Sequence, residues 1–398
     1  MQVKMFDPGN FTPHYVENLC RALAGLDLRV DLITSSPLFE QTGAIGSVAV
    51  DNYFFKITEG AGKGFFRRHP TLRRALKLLS YPVGLWRTWR ALKVQSPGIL
   101  HVQWALVPWL DAVLIRKLRS KGWRVVYTAH DVVSELDQPL RRWMFRRIYR
   151  EVDAVIVHTP GLARKLCNDS GDVLRDVRDI PEGVSTFPLS PGVDQSNARR
   201  VLGLNPAGPL LLFFGMIKRY KGLEHLLRAW PRVTQELPHA RLLIAGEAML
   251  PMRPFHRLIG ALKIEDSVVL RVGYVPQSEA QYFFCAADAV VLPYLQISTS
   301  SIVPLAYRFG RPVIATSVGG LPEIVRDGET GYLAPSSSEA PLAEAICRGF
   351  RNPESLPGMG ARGRQWFETE RGWDEVARQT AAVYCSLSKS SPTVRLHL

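Results

Sequence analysis

Two strand-to-helix turns in the second half of this 398-residue chain carry groups suited to holding an anion. In one, Phe213-Phe214-Gly215 runs into Lys218, Arg219, Tyr220, Lys221 and Gly222. Glycine permits a tight turn, and the cations that follow can reach a phosphate, Arg as a bidentate fork and Lys as a point charge. In the other, Pro293-Tyr294 ends an apolar run. Ser298-Thr299-Ser300-Ser301 then opens a short helical pattern, Ile302 to Phe309, closed by Gly310 and Pro312. A helix N-terminus presents unpaired N–H groups and the positive end of its dipole, which favours anions. Ser301 is the expected cap, and Pro304 falls in the first turn, where a missing N–H costs little. Singly these read as a basic surface turn and an ordinary capped helix. Together in one half of the chain they point to a phosphate-bearing ligand.

Other candidates follow apolar runs. His130 and Asp131 come after Arg124 to Thr128, where a histidine can hydrogen-bond a substrate or shuttle a proton. His101, with Gln103 behind it, has the same placement, and a lone histidine is more often structural. Gly246-Glu247 and Gly319-Gly320-Leu321-Pro322-Glu323 are glycine turns, with Glu323 able to bind sugar hydroxyls; turn chemistry alone also explains both. Asp7-Pro8-Gly9-Asn10 can bring backbone N–H groups to a phosphate, though a plain connecting turn is the commoner reading. The three-glycine dinucleotide fingerprint, a Walker-type loop, zinc spacing and a Gly-x-Ser-x-Gly elbow are all missing, which disfavours a nicotinamide cofactor.

The elements that must position these residues alternate. Apolar strand-like runs are expected at Val3–Phe6, Leu28–Thr34, Val48–Ile57, Ile99–Gln103, Arg124–Thr128, Ala154–Val157 and Val177–Ile180. A second series runs Leu210–Phe214, Arg241–Ala245, Val268–Val272, Ala289–Leu292 and Val313–Thr316. Helical patterns separate them, beginning with Pro13 to Ala24. The expected fold class is therefore α/β, with two Rossmann-like, doubly wound parallel-sheet domains facing a cleft. The expected division is 1–185, 186–372, and a final helix with its tail over 373–398; Pro181 to Pro209, rich in Pro, Gly and Ser, is the linker candidate. The tail after Ser388 is expected to be disordered.

Fifty Lys and Arg against 36 Asp and Glu give a formal net charge of +14, which favours an anionic partner. The charge is clustered. Lys63, Arg67, Arg68, Arg73, Arg74, Lys77, Arg87, Arg90 and Lys93 share a segment with Leu72, Leu76, Leu79, Val83, Trp86 and Trp89 at helical spacing, with Pro82 expected to kink or split the helix. Arg141, Arg142, Arg146, Arg147 and Arg150 interleave with Trp143, Met144 and Ile148. Solvated basic faces and a peripheral site on anionic lipid explain these equally well. Nucleic acid is disfavoured, because no recognised nucleic-acid module is present. Met1 to Asn10 lacks a signal-peptide pattern, no run approaches bilayer-spanning length, and Cys20, Cys167, Cys285, Cys347 and Cys385 lack metal spacing; a cytoplasmic protein is expected.

Taken together, Phe214-Gly215 through Lys221-Gly222, Gly246-Glu247, Ala287-Asp288 before Pro293-Tyr294, Gly310-Arg311-Pro312-Val313 and Gly319-Gly320-Leu321-Pro322-Glu323 resemble the second domain of a retaining, nucleotide-sugar-dependent glycosyltransferase of GT-B fold. The group is the large bacterial one that includes mannosyl- and glucosyltransferases, glycosyltransferase family 4-like. Thr128-Ala129-His130-Asp131 and Ile180-Pro181-Glu182-Gly183-Val184 resemble its first domain and linker. The resemblance implies a hexosyltransferase-like enzyme whose second domain holds the nucleotide diphosphate and whose first holds the acceptor. Lys221, helped by Lys218, would neutralise the departing diphosphate, and His130 would lie beside the donor sugar. Gly9, Gly215, Arg219, Gly246, Glu247, Ser298, Thr299, Ser300, Ser301 and Glu323 would contact the donor. No cofactor and no metal would be required.

The family's usual pair of glutamates falls on Ile297 and Leu305, neither acidic, and Met216 stands where an arginine usually follows the strand glycine. A Lys/Arg-x-Tyr-Lys-Gly turn with a serine-rich loop resembles a branch suggestive of surface-polysaccharide assembly. The implied acceptor is lipid-linked or a polysaccharide. A nucleotide-sugar binding protein without catalysis, and a nucleotide-sugar epimerase, remain the alternatives at this point.

Overall fold

A computed structural model of the chain describes residues 1–35, 46, 48–61, 63–170, 173–184, 186–187, 190–205, 207–335 and 338–389. The side chains of Lys63, Arg67 and Arg68, and the expected disordered tail beyond Lys389, lie outside what is described. The chain divides into two units, Met1–Glu182 with Trp373–Leu398, and Gly183–Gly372.

The first unit is built on a seven-stranded parallel sheet of β1 (Gln2–Asp7), β2 (Arg29–Ser35), β3 (Ala49–Phe54), β4 (Ile99–Val102), β5 (Arg124–Thr128), β6 (Ala154–Val157) and β7 (Val177–Asp179). The order is β3-β2-β1-β4-β5-β6-β7, reversing between β1 and β4. Strands β4 and β6 are buried along their whole length, which is why β6 reads as an unbroken apolar run and β4 as one interrupted only by His101. The expected strand ending at Ile57 stops at Phe54: Phe55 takes φ 51°, and the chain coils into a wide helical turn at Lys56–Ala61. Pro82 does not split the helix Pro70–Leu92; it is exposed, so water can satisfy the carbonyl it leaves without a partner.

The last helix, Trp373–Lys389, belongs to the first unit rather than standing apart. Val376, Ala377 and Tyr384 are buried with Leu19, Cys20 and Leu23 of the helix Pro13–Ala24. The Tyr384 hydroxyl lies 2.5 Å from His101 Nδ1, and Thr128 Oγ1 lies 2.7 Å from His101 Nε2. Burial pushes the His101 pKa down to about 3. Both ring nitrogens are occupied inside the core, so His101 is structural.

The second unit holds a six-stranded parallel sheet of β8 (Leu210–Phe214), β9 (Arg241–Gly246), β10 (Val268–Val272), β11 (Ala289–Leu292), β12 (Val313–Thr316) and β13 (Gly331–Ala334), ordered β10-β9-β8-β11-β12-β13. β13 was not expected. The supposed linker is also more structured than its composition suggested. Gln195–Val201 is helical, and its Arg199 is buried, donating to the Ala286 and Gly208 carbonyls and pairing with Asp288 at 2.9 Å. The same Asp288 carboxylate accepts from Leu210 N at 2.7 Å, pinning the start of β8.

Replacing Asp288 by Ala leaves a buried guanidinium without its counter-charge, and a cost of about 3 kcal/mol is expected. Urea unfolding should show it as a lower midpoint at unchanged slope.

Candidate functional site

In a parallel α/β sheet the loops that can meet a ligand lie beyond the carboxyl ends of the strands. The second unit draws four such loops together with backbone contacts. Ile217 N donates to Glu247 O at 2.8 Å, joining the loops after β8 and β9. Leu295 N donates to Tyr220 O at 2.8 Å, and Gly320 N to Ser298 O at 2.9 Å, adding the loops after β11 and β12.

Two glycines make this possible. Gly222 has φ 68°, and a Cβ there would stand 1.9 Å from the Pro293 carbonyl oxygen. Gly319 has φ 56°, and its Cβ would stand 1.6 Å from the Ile297 oxygen. The Lys218–Gly222 turn and the serine loop are therefore held against each other by bare backbone.

Lys221 is buried, and a Cβ on Gly215 would lie 3.1 Å from its ammonium. Its nitrogen stands 5.5 Å from the Tyr294 ring centroid, and Lys218 Nζ stands 5.9 Å from that of Tyr220. The two rings pack edge to face at 6.3 Å, so both lysines border one aromatic pair. Among the described residues no ion pair holds Lys221, and burial lowers its pKa to about 8. Arg219 is exposed, while Gly215, Glu247 and Glu323 are half-buried and Gly246 is buried.

The serine loop differs in detail from the expectation. The helix Ile302–Arg308 forms, but Ser301 sits in helical φ/ψ and makes no capping hydrogen bond. Ser300 caps instead: its Oγ accepts from Ile302 N at 3.3 Å and its carbonyl from Val303 N at 3.1 Å. With Pro304 next, the first turn offers fewer open amides than the pattern suggested. Ser298 and Ser300 are buried, Thr299 is half-buried, and Ser301 is exposed.

In the first unit, the N–H groups around Gly9 are committed internally. Asp7 accepts from Asn10 N at 3.0 Å, with Phe11 and Gly9 amides also turned to it. The turn is thus not an open phosphate cradle, because its donors turn to the buried Asp7 carboxyl, whose Oδ2 still has no hydrogen-bond partner among the described residues and whose pKa burial raises to about 7.

His130 does reach a polar constellation. Gln103 Oε1 lies 3.0 Å from its Nε2 and His158 Nε2 lies 3.0 Å from its Nδ1. Trp104 stacks on the ring at 5.0 Å, and Tyr15 meets it edge-on at 4.9 Å. Burial holds the His130 pKa well below the usual histidine range, with His158 and His101 adding to the effect. Asp131 is an N-cap, accepting from Ser134 N at 3.2 Å.

Sequence reasoning missed His158, Trp104 and Tyr15. The signal for His158 was the one that flagged His130, a histidine directly after an apolar strand.

Next to this constellation a cleft of about 380 Å³ opens, lined by Phe11, Leu78, Trp104, Phe145, Arg74 and Arg141 among others. Glu135 lies in its wall, taking hydrogen bonds from the hydroxyls of Tyr127 and Tyr149; burial raises its pKa to about 8. Among the described residues no group of three or more His, Cys, Asp or Glu side chains is placed to hold a metal ion.

Comparison with known proteins matches both units. Residues 13–186 fit the profile of Glycosyltransferase Family 4, and residues 208–352 that of Glycosyl transferases group 1. A D-inositol 3-phosphate glycosyltransferase of Streptomyces coelicolor is 33% identical, covering 94% of this chain and 87% of its own. That of Streptomyces bingchenggensis is 26% identical over 96% of this chain and 86% of its own. Among solved structures, a sucrose-phosphate synthase from Thermosynechococcus elongatus superposes with TM-score 0.70 at 22% identity, over 98% of this chain and all of the other. The Anabaena protein HepE, crystallised with UDP-glucose, gives 0.73 at 17% identity over 97% and 100%. These neighbours share the GT-B fold with this chain.

A Gly222→Ala substitution should lower the melting temperature by several degrees, because it strains the backbone at positive φ and pushes Pro293 away; scanning calorimetry of the variant against the wild type checks it.

Proposed function

The chain belongs to glycosyltransferase family 4 and is a transferase enzyme, and on that premise we propose that it moves a hexose, with retention of anomeric configuration, from a nucleoside-diphosphate donor to a lipid-linked or polysaccharide acceptor in surface-polysaccharide assembly. The observation that carries the donor side is Lys221: a buried ammonium beside a glycine turn, among described residues without a carboxylate partner. An ammonium in that state gains most from an incoming diphosphate. As the bond to the sugar breaks, negative charge builds on the leaving phosphate, and fixed cations stabilise it without reorganising. Lys218, Arg219 and the Ser298–Ser301 loop complete the donor contacts in this reading, with Gly215, Gly246, Glu247 and Glu323 shaping the sugar and ribose side. His130 serves the donor sugar, and the two lysines replace a metal.

The acceptor side rests on the cleft of the first unit, whose walls are apolar and aromatic while Arg74 and Arg141 add cations. Such a lining suits an acceptor with an apolar body and an anionic group. On the two helices that supply Arg74 and Arg141, Pro70–Leu92 and Pro139–Glu151, Leu72, Leu78, Leu79, Val83, Trp86, Leu140 and Trp143 are exposed. Arg147 stacks over Trp143 at 3.9 Å and Arg90 over Trp86 at 5.4 Å. Exposed apolar side chains interleaved with arginine support peripheral binding to an anionic membrane on the cytoplasmic face. Among the described residues no helix is long and apolar enough to cross a membrane.

Release of nucleoside diphosphate is measured from a panel of UDP-, GDP- and ADP-hexoses, headed by UDP-glucose because HepE was crystallised with it. One donor is expected to turn over with a membrane-extract acceptor, and EDTA should leave the rate unchanged. Lys221→Met should lower kcat/KM about 100-fold or more. No release from any donor would end the catalytic reading in favour of a binding protein. Product formed from donor alone, with no acceptor, would favour an epimerase.

Lys221 also sets a pH dependence. Its ammonium deprotonates near pH 8, so affinity for UDP should fall as pH rises from 7 to 9.5. Lys221→Arg, which keeps its charge, should bind UDP with no such fall.

Anionic vesicles should carry the protein upward in flotation at low salt, neutral vesicles should not, and Leu79→Asp with Trp86→Glu should abolish the difference.

A further inference from the structure

Four neighbouring strands of the first unit, β4 to β7, end in one line of polar groups. Gln103 follows β4, His130 lies just past β5, His158 follows β6, and Ile180 follows β7. Gln103 Oε1 is 3.0 Å from His130 Nε2, His130 Nδ1 is 3.0 Å from His158 Nε2, and His158 Nδ1 is 3.1 Å from the Ile180 carbonyl oxygen.

A backbone carbonyl only accepts, so the His158 proton at that end sits on Nδ1. A neutral His158 then has only a lone pair at Nε2, and His130 must donate to it from Nδ1. A neutral His130 is left with a bare Nε2, and Gln103 exchanges its amide oxygen and nitrogen to meet that lone pair, giving up the 3.0 Å contact of its nitrogen with Met5 Sδ. The surroundings favour neutral rings. Trp104 covers one face of His130, and Tyr15 meets His130 at 4.9 Å and His158 at 5.4 Å. Of the other titratable groups nearby, His101 is a buried neutral ring, Tyr15 keeps its proton, the half-buried Glu182 carboxylate acts on Tyr15, and Asp131 is an N-cap.

We propose that His158 is a positioning residue for the transfer reaction: from the end of β6 it locks His130 in the Nδ1–H tautomer, with the lone pair on Nε2. The opposite tautomer would present an N–H at Nε2, so His158 decides whether that atom takes the amide nitrogen or the amide oxygen of Gln103, and so which way the Gln103 side chain is turned beside the ring. The link to transfer rests on the reading of His130 as a donor-sugar residue; the tautomer does not.

The test is side-chain ¹⁵N–¹H correlation spectroscopy of the full-length, ¹⁵N-labelled protein, with His130→Gln used to assign the His130 ring. Both rings are expected in the Nδ1–H form at pH 7.5. His158→Leu removes the acceptor, so His130 should become a mixture of tautomers with a proton affinity raised at least about tenfold. His158→Asn restores a carbonyl acceptor and should restore the single form. An Nε2–H or doubly protonated ring in the wild type overturns the proposal, as does an unchanged His130 spectrum in His158→Leu. The wild-type spectrum decides even if a variant fails to fold. A purely structural His158 would lower the melting temperature of His158→Leu and leave the tautomer where it was. Failure of the donor panel would remove the transfer reading while these spectra stood.

Discussion

Backbone lies directly on backbone where the loops of the second sheet meet, and everything proposed for that unit depends on this. The oxygens of Pro293 and Ile297 occupy the space where side chains of residues 222 and 319 would begin. Close approach of this kind fixes the Lys218–Gly222 turn against the serine loop with no rotamer freedom between them. A flexible lysine on an ordinary surface would hold a phosphate only after losing its own motion. Here the ammonium is already immobilised, at the cost of desolvation that its lowered pKa records.

Both units bury ion pairs, Arg199 with Asp288 in the second, Glu59 with Lys77 and Asp153 with Arg119 in the first. The second also keeps the Lys221 ammonium buried, among described residues without a carboxylate to neutralise it. The first also buries three carboxyls with neutral partners: Asp111 with the Tyr81 hydroxyl, Glu135 with two tyrosines, Asp7 with turn amides. Burial likewise holds His101 and His130 below the usual histidine range. An uncharged hydrogen-bonded interior orients groups without setting up a strong field, whereas the lysine of the second unit supplies one.

Most of the strands were legible because a parallel sheet covered on both faces demands continuous apolar runs, as in Ala154–Val157 or Ala289–Leu292. Gly331–Ala334 escaped because it is short and opens on a glycine, which pattern reading takes for a turn. Lys221 and His130 were legible from their places after strands. What sequence could not show was who takes each donor. Ser300 rather than Ser301 caps the helix, and the amides near Gly9 serve Asp7; both outcomes turn on backbone angles that residue type does not fix. The segment before β8 misled for a related reason. Its Pro and Gly content suggested a loose connection, and one buried Arg199 anchors it.

The helix Trp373–Lys389 completes a core whose other members, Val3 to Ile180, are made long before it in synthesis. During translation the second unit, a single uninterrupted stretch, has all its residues before the first one does. The nascent first unit must wait with His101 lacking its tyrosine and with the Pro13–Ala24 helix lacking its cover. A ribosome that stalls before Tyr384 would therefore hold a finished second unit beside an unfinished first one, exposed to chaperones and proteases until the final turns emerge.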